Sequence, residues 1–221
     1  IVGTKLAQIL GVSPTAFLLS GTPELDWLSV LKVSGLSILC AVLSVIFCIT
    51  MHKTEKIYSK LFPNRYVRIA VGGVLVILLT LIVGTYDYNG AGMDIVEKAL
   101  SGEAKYEAFI LKIIFTALTL GAGYKGGEIV PTFFVGATFG CLIGQFIGLS
   151  PSFCAAIGMI SLFCGVTNSP ISTLLISFEL FGYAGMPYYL LAVAFSYMLS
   201  GYFGLYSSQK IMYSKYKTDF I

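Results

Sequence analysis

The stretch GYKGGEIVPTFFVGATFG, residues 123–140, sets five glycines and a proline around one glutamate and one lysine in an otherwise apolar segment. Gly126, Gly127, Glu128, Ile129 and Val130 precede Pro131, a residue suited to the first turn of a helix, where its missing N–H costs no hydrogen bond. A helix starting there leaves its first N–H groups free and turns the positive end of its dipole toward the glycines. That is an anion site without any cationic side chain. The plainer reading of the same residues is a tight glycine turn between two packed helices. Inside a bilayer, such irregular backbone is tolerated only where it is buried in protein or lines a cavity.

Glu128 sharpens the choice. It immediately precedes a long run with no Asp, Glu, Lys or Arg, residues 129–178. An intramembrane carboxylate is costly and is a functional candidate by default. Beside a bound anion, desolvation and like-charge repulsion both raise a carboxyl pKa, which suits a group that takes up and releases protons. The alternative is a carboxylate paired with Lys125. Glu179, in the expected helix after Pro170, is read as a second buried acid with a structural hydrogen-bonding role. Gly136, Gly140, Gly144 and Gly148 recur every four residues, a spacing that places them on one helix face for close packing.

The rest of the chain supports a membrane setting. Of 221 residues, 57% are hydrophobic and only 11% charged, against about 25% in ordinary soluble domains. Residues 33–51 and 69–86 are also free of charge and each matches a span of roughly 20 apolar residues. Residues 129–178 and 180–209 must each hold several segments, because Gly and Pro interrupt them. The net charge of +3, without a basic stripe, gives no case for nucleic acid. Cys40, Cys48, Cys141, Cys154 and Cys164 lie in apolar runs without metal-ligand spacing and read as packing residues. His52, beside Lys53 and without a ligand companion, reads as a solvated loop histidine. No metal or other cofactor is implied, and the absence of HExxH or GxSxG removes the case for an intramembrane hydrolase.

Turn and cap signals divide the chain into helices. Residues 1–11 form a helix tail closed by Gly11; Asp26 caps a long helix that runs past Met51 to the Pro63-Asn64 turn; 66–84 spans; 93–101 is a short surface helix; 106–120 leads into the glycine loop. Further helices are expected at 131–148, 151–166, 170–180, 187–201 and 207–217. Several are too short for a full crossing. Short membrane helices broken by Gly and Pro characterise transporters whose helix ends meet at mid-membrane ion sites. Lys53, Lys56, Lys60, Arg65 and Arg68 cluster in one loop, and Lys210, Lys215 and Lys217 at the C-terminus. Asp87, Asp94, Glu97, Glu103 and Glu107 mark an acidic segment between them. The positive-inside rule puts the basic loop and the C-terminus in the cytoplasm.

Three segments together resemble one known family. GYKGGEIVPTFFVGATFG is similar to the GxFxP signature of the CLC chloride channels and transporters, and its GGE-x-x-P form to their fluoride/proton antiporter branch. CGVTNSPISTLLISFELFG resembles the family's later helix junction. GLYSSQKIMY resembles the start of its last membrane helix, which bears an ion-coordinating tyrosine. The resemblance implies an all-α polytopic fold built of two inverted repeats, of which residues 1–221 supply the second. It implies that the backbone amides of Ile129 and Val130 bind the central anion with the Tyr206 hydroxyl, that Gly126, Gly127 and Pro131 support the loop, and that Glu128 transfers protons. Ile129 stands where the family signature has phenylalanine, and Val130 where the fluoride branch often has threonine.

The expected function is therefore halide transport, of fluoride or chloride, with anion/proton antiport as the leading reading. A passive chloride channel and a non-transporting membrane half are the alternatives. The implied partners are the halide, the proton, membrane lipid and a second copy in a homodimer, with 26–51, 170–181 and 187–200 at its interface and the plasma membrane as the location. The gating GREG-like motif of the first repeat is not in the sequence, and residue 1 is isoleucine. The chain is expected to be one half of a larger polypeptide.

Overall fold

A computed structural model describes residues 2–11, 16–206, 208–209, 211–212 and 214–215. Among the described residues all regular structure is helical. Helix α1 is Val2–Ile9, α2 Trp27–Leu61, α3 Arg65–Val83, α4 Met93–Leu100 and α5 Ala108–Gly121; α6 is Ile129–Ile147, α7 Pro151–Thr167, α8 Pro170–Phe181 and α9 Met186–Leu199. Helices α2, α3 and α6 are long and apolar enough to cross a membrane, and α5, α7, α8 and α9 are shorter apolar helices.

Local chemistry sets most of these boundaries. The Asp26 carboxylate accepts from the amides of Leu28 and Ser29 and starts α2. Asn64 caps α3 through the Tyr66 amide, and Gly84 ends it in the left-handed conformation at φ 73°. Ser150 caps α7 with Pro151 behind it, and Asn168 closes it at φ 51°, a position where Asn is tolerated. The 35 residues of α2 form one helix of about 52 Å, well beyond a hydrocarbon core of about 30 Å. Its last turns therefore project past the apolar layer.

Helix α7 is the centre of the molecule. Every residue from Ser152 to Thr167 is buried, so α7 has no outward face. Such a helix must be apolar all round, and it is surrounded by α2, α4, α6, α8 and α9. Its closest neighbour is α6. A Cβ on Gly136 would lie 2.6 Å from the Gly158 carbonyl oxygen, one on Gly140 would strike the Cys154 carbonyl, and one on Gly144 would lie 2.7 Å from the Cys154 Cβ. Three of the four periodic glycines thus serve the close crossing. The fourth, Gly148, lies off that face and ends α6 in the left-handed conformation at φ 67°. All five cysteines are buried and free, as packing residues.

Three expectations are corrected. His52 lies within α2, half-buried, with Nε2 2.9 Å from the Gly204 carbonyl; it is not a solvated loop residue. Glu179 is exposed: α8 buries the row Thr173, Ser177 and Phe181, and Glu179 is on another side of that helix. The last expected helix, 207–217, falls partly outside the described residues, and those described between 208 and 215 are not helical.

Candidate functional site

Residues 122–128 link α5 to α6, and close backbone packing holds them in place. A Cβ on Gly121 would lie 2.8 Å from the Thr54 side chain of α2, and Ala122 fills the space that Gly72 leaves on α3. The Tyr124 hydroxyl donates to the Ile69 carbonyl at 3.0 Å, lying over Gly73, where any side chain would collide with it. Gly123 takes φ 100°, which favours glycine. The loop is thereby clamped between α2 and α3 before it enters α6.

Helix α6 starts at Ile129, two residues before Pro131, with Glu128 in the N-cap position and no side-chain cap. Pro131 occupies the third helical position, where an N–H would lack a helical acceptor anyway. The first amide of this turn with an acceptor is that of Thr132, which donates to the Glu128 carbonyl at 3.3 Å. Among the described residues the amides of Ile129 and Val130 have no acceptor. They are the free donors that a helix start offers to an anion.

Two cavities lie on either side of this turn. One, of about 610 Å³, is lined by Glu128, Gly126 and Lys125 from the loop, His52 and Glu55 from α2, Arg65 and Arg68 from α3, and Tyr206. The other, of about 470 Å³, is lined by Gly126, Gly127, Val130 and Pro131 together with Tyr88–Ala91 and Lys112. Lys125, Gly126 and Leu120 touch both, so the loop is the partition between them. The structure thus brings Glu128 and Tyr206 to one wall, although 78 positions separate them in sequence. The Ile129 side chain lines neither of these cavities and is 38% exposed.

The first cavity is polar. Arg65, Arg68 and Lys125 line it together with Glu55 and Glu128. Arg68 is held by a 2.8 Å hydrogen bond from its guanidinium to Ser59 Oγ. Glu128 is half-buried, and among the described residues its carboxylate forms no ion pair, with Lys125 or any other cation. The structural alternative for Glu128, pairing with Lys125, is not formed. Tyr206 is 40% exposed, and its hydroxyl has no hydrogen-bond partner among the described residues.

The residues of the second cavity were less legible. Lys112 is 1% exposed, and its Nζ donates to the carbonyls of Gly90 at 2.7 Å and Tyr88 at 3.2 Å, 4.7 Å from the Phe134 ring centroid. A lone lysine in the apolar helix α5 was the available signal. On the same side, the Lys105 ammonium meets Asp87 at 2.8 Å and holds that carboxyl below the usual range. Among the described residues no group of three or more His, Cys, Asp or Glu side chains is placed to hold a metal ion.

Comparison with known proteins places this geometry in a family context. The family model described as "Voltage gated chloride channel" matches residues 1–201. A protein of Pseudomonas syringae pv. tomato named "Chloride/fluoride channel protein" is 28% identical over 222 residues, covering 98% of this chain and 49% of its own length. The "Voltage-gated ClC-type chloride channel ClcB" of Salmonella typhimurium is 32% identical over 145 residues, 60% of this chain and 34% of its own. A solved "CLC-type fluoride/proton antiporter" superposes with a TM-score of 0.88 at 25% identity, over 93% of this chain and 52% of that structure. The chain spans about half the length of the first of these relatives and of the solved structure.

Proposed function

The chain belongs to the voltage gated chloride channel family, and from that premise we propose that it forms one wall of the pore of a halide/proton antiporter. It is an integral membrane ion-transport protein, not an enzyme. In this reading the amides of Ile129 and Val130 hold the central anion and the Tyr206 hydroxyl donates to it from across the first cavity. Glu128 takes up and releases the exchanged proton. Gly126, Gly127 and Pro131 shape the turn.

One observation carries the proposal. Glu128 and Tyr206 line one cavity, and among the described residues the carboxylate has no ion-pair partner and the hydroxyl no hydrogen bond, while the two amides that lack acceptors directly follow Glu128 in the chain. A halide beside Glu128 would repel its charged form, so anion occupancy and protonation are linked at that site. The cations Arg65, Arg68 and Lys125 would draw anions into the cavity from solution. They stand on the side of the basic loop, which the positive-inside rule makes cytoplasmic. The C-terminus then lies on that side too, in the plasma membrane.

The solved CLC-type fluoride/proton antiporter of the same fold supports exchange. We infer that residues 1–221 are the second of two inverted repeats, that the first supplies the rest of the pore, and that the complete protein is a homodimer with α2, α8 and α9 near the interface. The test is flux in proteoliposomes containing the full-length polypeptide. An outward fluoride or chloride gradient should drive protons inward against their own gradient. Anion efflux that moves no protons would leave only the passive channel.

A further inference from the structure

We propose that His52 is a positioning residue for Tyr206, fixing the loop that presents the tyrosine hydroxyl to the first cavity and thereby setting affinity for the anion. The inference rests on the reading of Tyr206 as an anion ligand. Its observation is separate: a hydrogen bond from α2 to the segment after α9, between His52 Nε2 and the Gly204 carbonyl, at 2.9 Å. A carbonyl only accepts, so Nε2 carries the proton. Nε2–H is present in that neutral tautomer and in the imidazolium alike, and the hold does not depend on the state of Nδ1.

The segment needs such holds. It leaves α9 through Gly201, at φ 58°, and contains Gly204, so its backbone has little stiffness of its own. Among the described residues the Tyr206 hydroxyl makes no hydrogen bond that would anchor the side chain. Its position is therefore set by the three residues before it. Phe203 is held through its carbonyl by Asn168 Nδ2 at 2.8 Å, and Leu205 through its amide by the Val166 carbonyl at 2.9 Å. Both of those holds come from the end of α7. His52 supplies the hold from α2, the helix that also brings Glu55 to the cavity. Removing it leaves the segment hydrogen-bonded from the end of α7 only, with Leu205 still packed among Leu43, Phe47, Cys48 and Met51 of α2; a hydroxyl displaced by that loss weakens its hydrogen bond to the anion.

The experiment measures KM and kcat for fluoride and chloride with the full-length polypeptide in proteoliposomes, for His52→Ala, His52→Gln, Tyr206→Phe and the His52→Ala/Tyr206→Phe double variant. His52→Ala should raise KM about 3- to 10-fold with kcat within about twofold, the range of one hydrogen bond. His52→Gln, which keeps an N–H at a similar reach, should restore most of the affinity. In the Tyr206→Phe background His52→Ala should add nothing to KM. Should His52→Ala fail to assemble, His52→Gln is compared with His52→Asn, whose shorter amide should give the raised KM. Multiplicative KM effects in the double variant, or a loss of kcat at unchanged KM, would overturn the role of His52. An unchanged KM in Tyr206→Phe alone would instead overturn the tyrosine reading on which it rests.

Discussion

Replacing Glu128 by Gln keeps the size and removes the titrating charge at a half-buried position that has no ion pair to break. Proton-coupled movement should be abolished, while anion affinity changes by no more than a few fold; pH-sensitive dye recording of proton flux beside an anion electrode checks both. The Asp87–Lys105 pair sits on the other side of the chain and has a different weight. With Lys105 58% and Asp87 33% exposed, solvent screening limits it to about 0.2–1 kcal/mol. Asp87 is held below its usual pKa, so its contribution is present at neutral pH and lost as pH falls through that lowered value. Lys105 is raised, so its share is lost only as pH rises beyond the ordinary ammonium range. Asp87→Asn should cost about 1 kcal/mol or less at pH 7, and the difference from the parent in denaturant titration should vanish only at strongly acid pH.

Between elements, the α6·α7 crossing tolerates no side chain at Gly140, because a Cβ would strike the Cys154 carbonyl. Gly35 in α2 is exposed with nothing within 4 Å of a Cβ. Gly140→Ala should lower thermal stability by several degrees or prevent assembly, whereas Gly35→Ala should be neutral or gain about 0.5–1 kcal/mol from helix propensity. The two melting temperatures in detergent separate packing from propensity. The glycine row was readable as a four-residue period, and its last member was misassigned because a packing glycine and a capping glycine look alike in sequence. The cap made by Asp26 was legible for the opposite reason: it acts within three residues; Asn64 was read only as part of a turn, and the structure adds it and Ser150 as caps of the same short range. Pro131 suggested too late a start for α6, since proline is tolerated anywhere in the first turn. The partners of His52 and Lys112 could not be read, because the carbonyls that hold them are 152 and 22 or more positions away. The Glu128–Tyr206 pairing was accessible only through family resemblance.

At the scale of the whole molecule, α3 leaves Val74, Ile77, Leu78, Leu81 and Ile82 exposed and buries only Gly72 and Thr80. That apolar surface belongs against lipid or against the missing repeat of the proposed full-length protein. Proteoliposomes holding residues 1–221 alone should show no halide efflux, and co-expression with the first repeat should restore it; efflux from the chain alone would overturn the two-repeat reading. Helix α7 carries a consequence for biosynthesis. In the finished fold every side of it is covered by other helices, and among its packing partners α2, α4 and α6 precede it whereas α8 and α9 follow. At about 5–20 residues per second, the thirty or so residues from its end to the end of α9 take about 2–6 s to appear. For that interval the sides of α7 that α8 and α9 will cover stay open, and being apolar they can rest against lipid until those helices arrive.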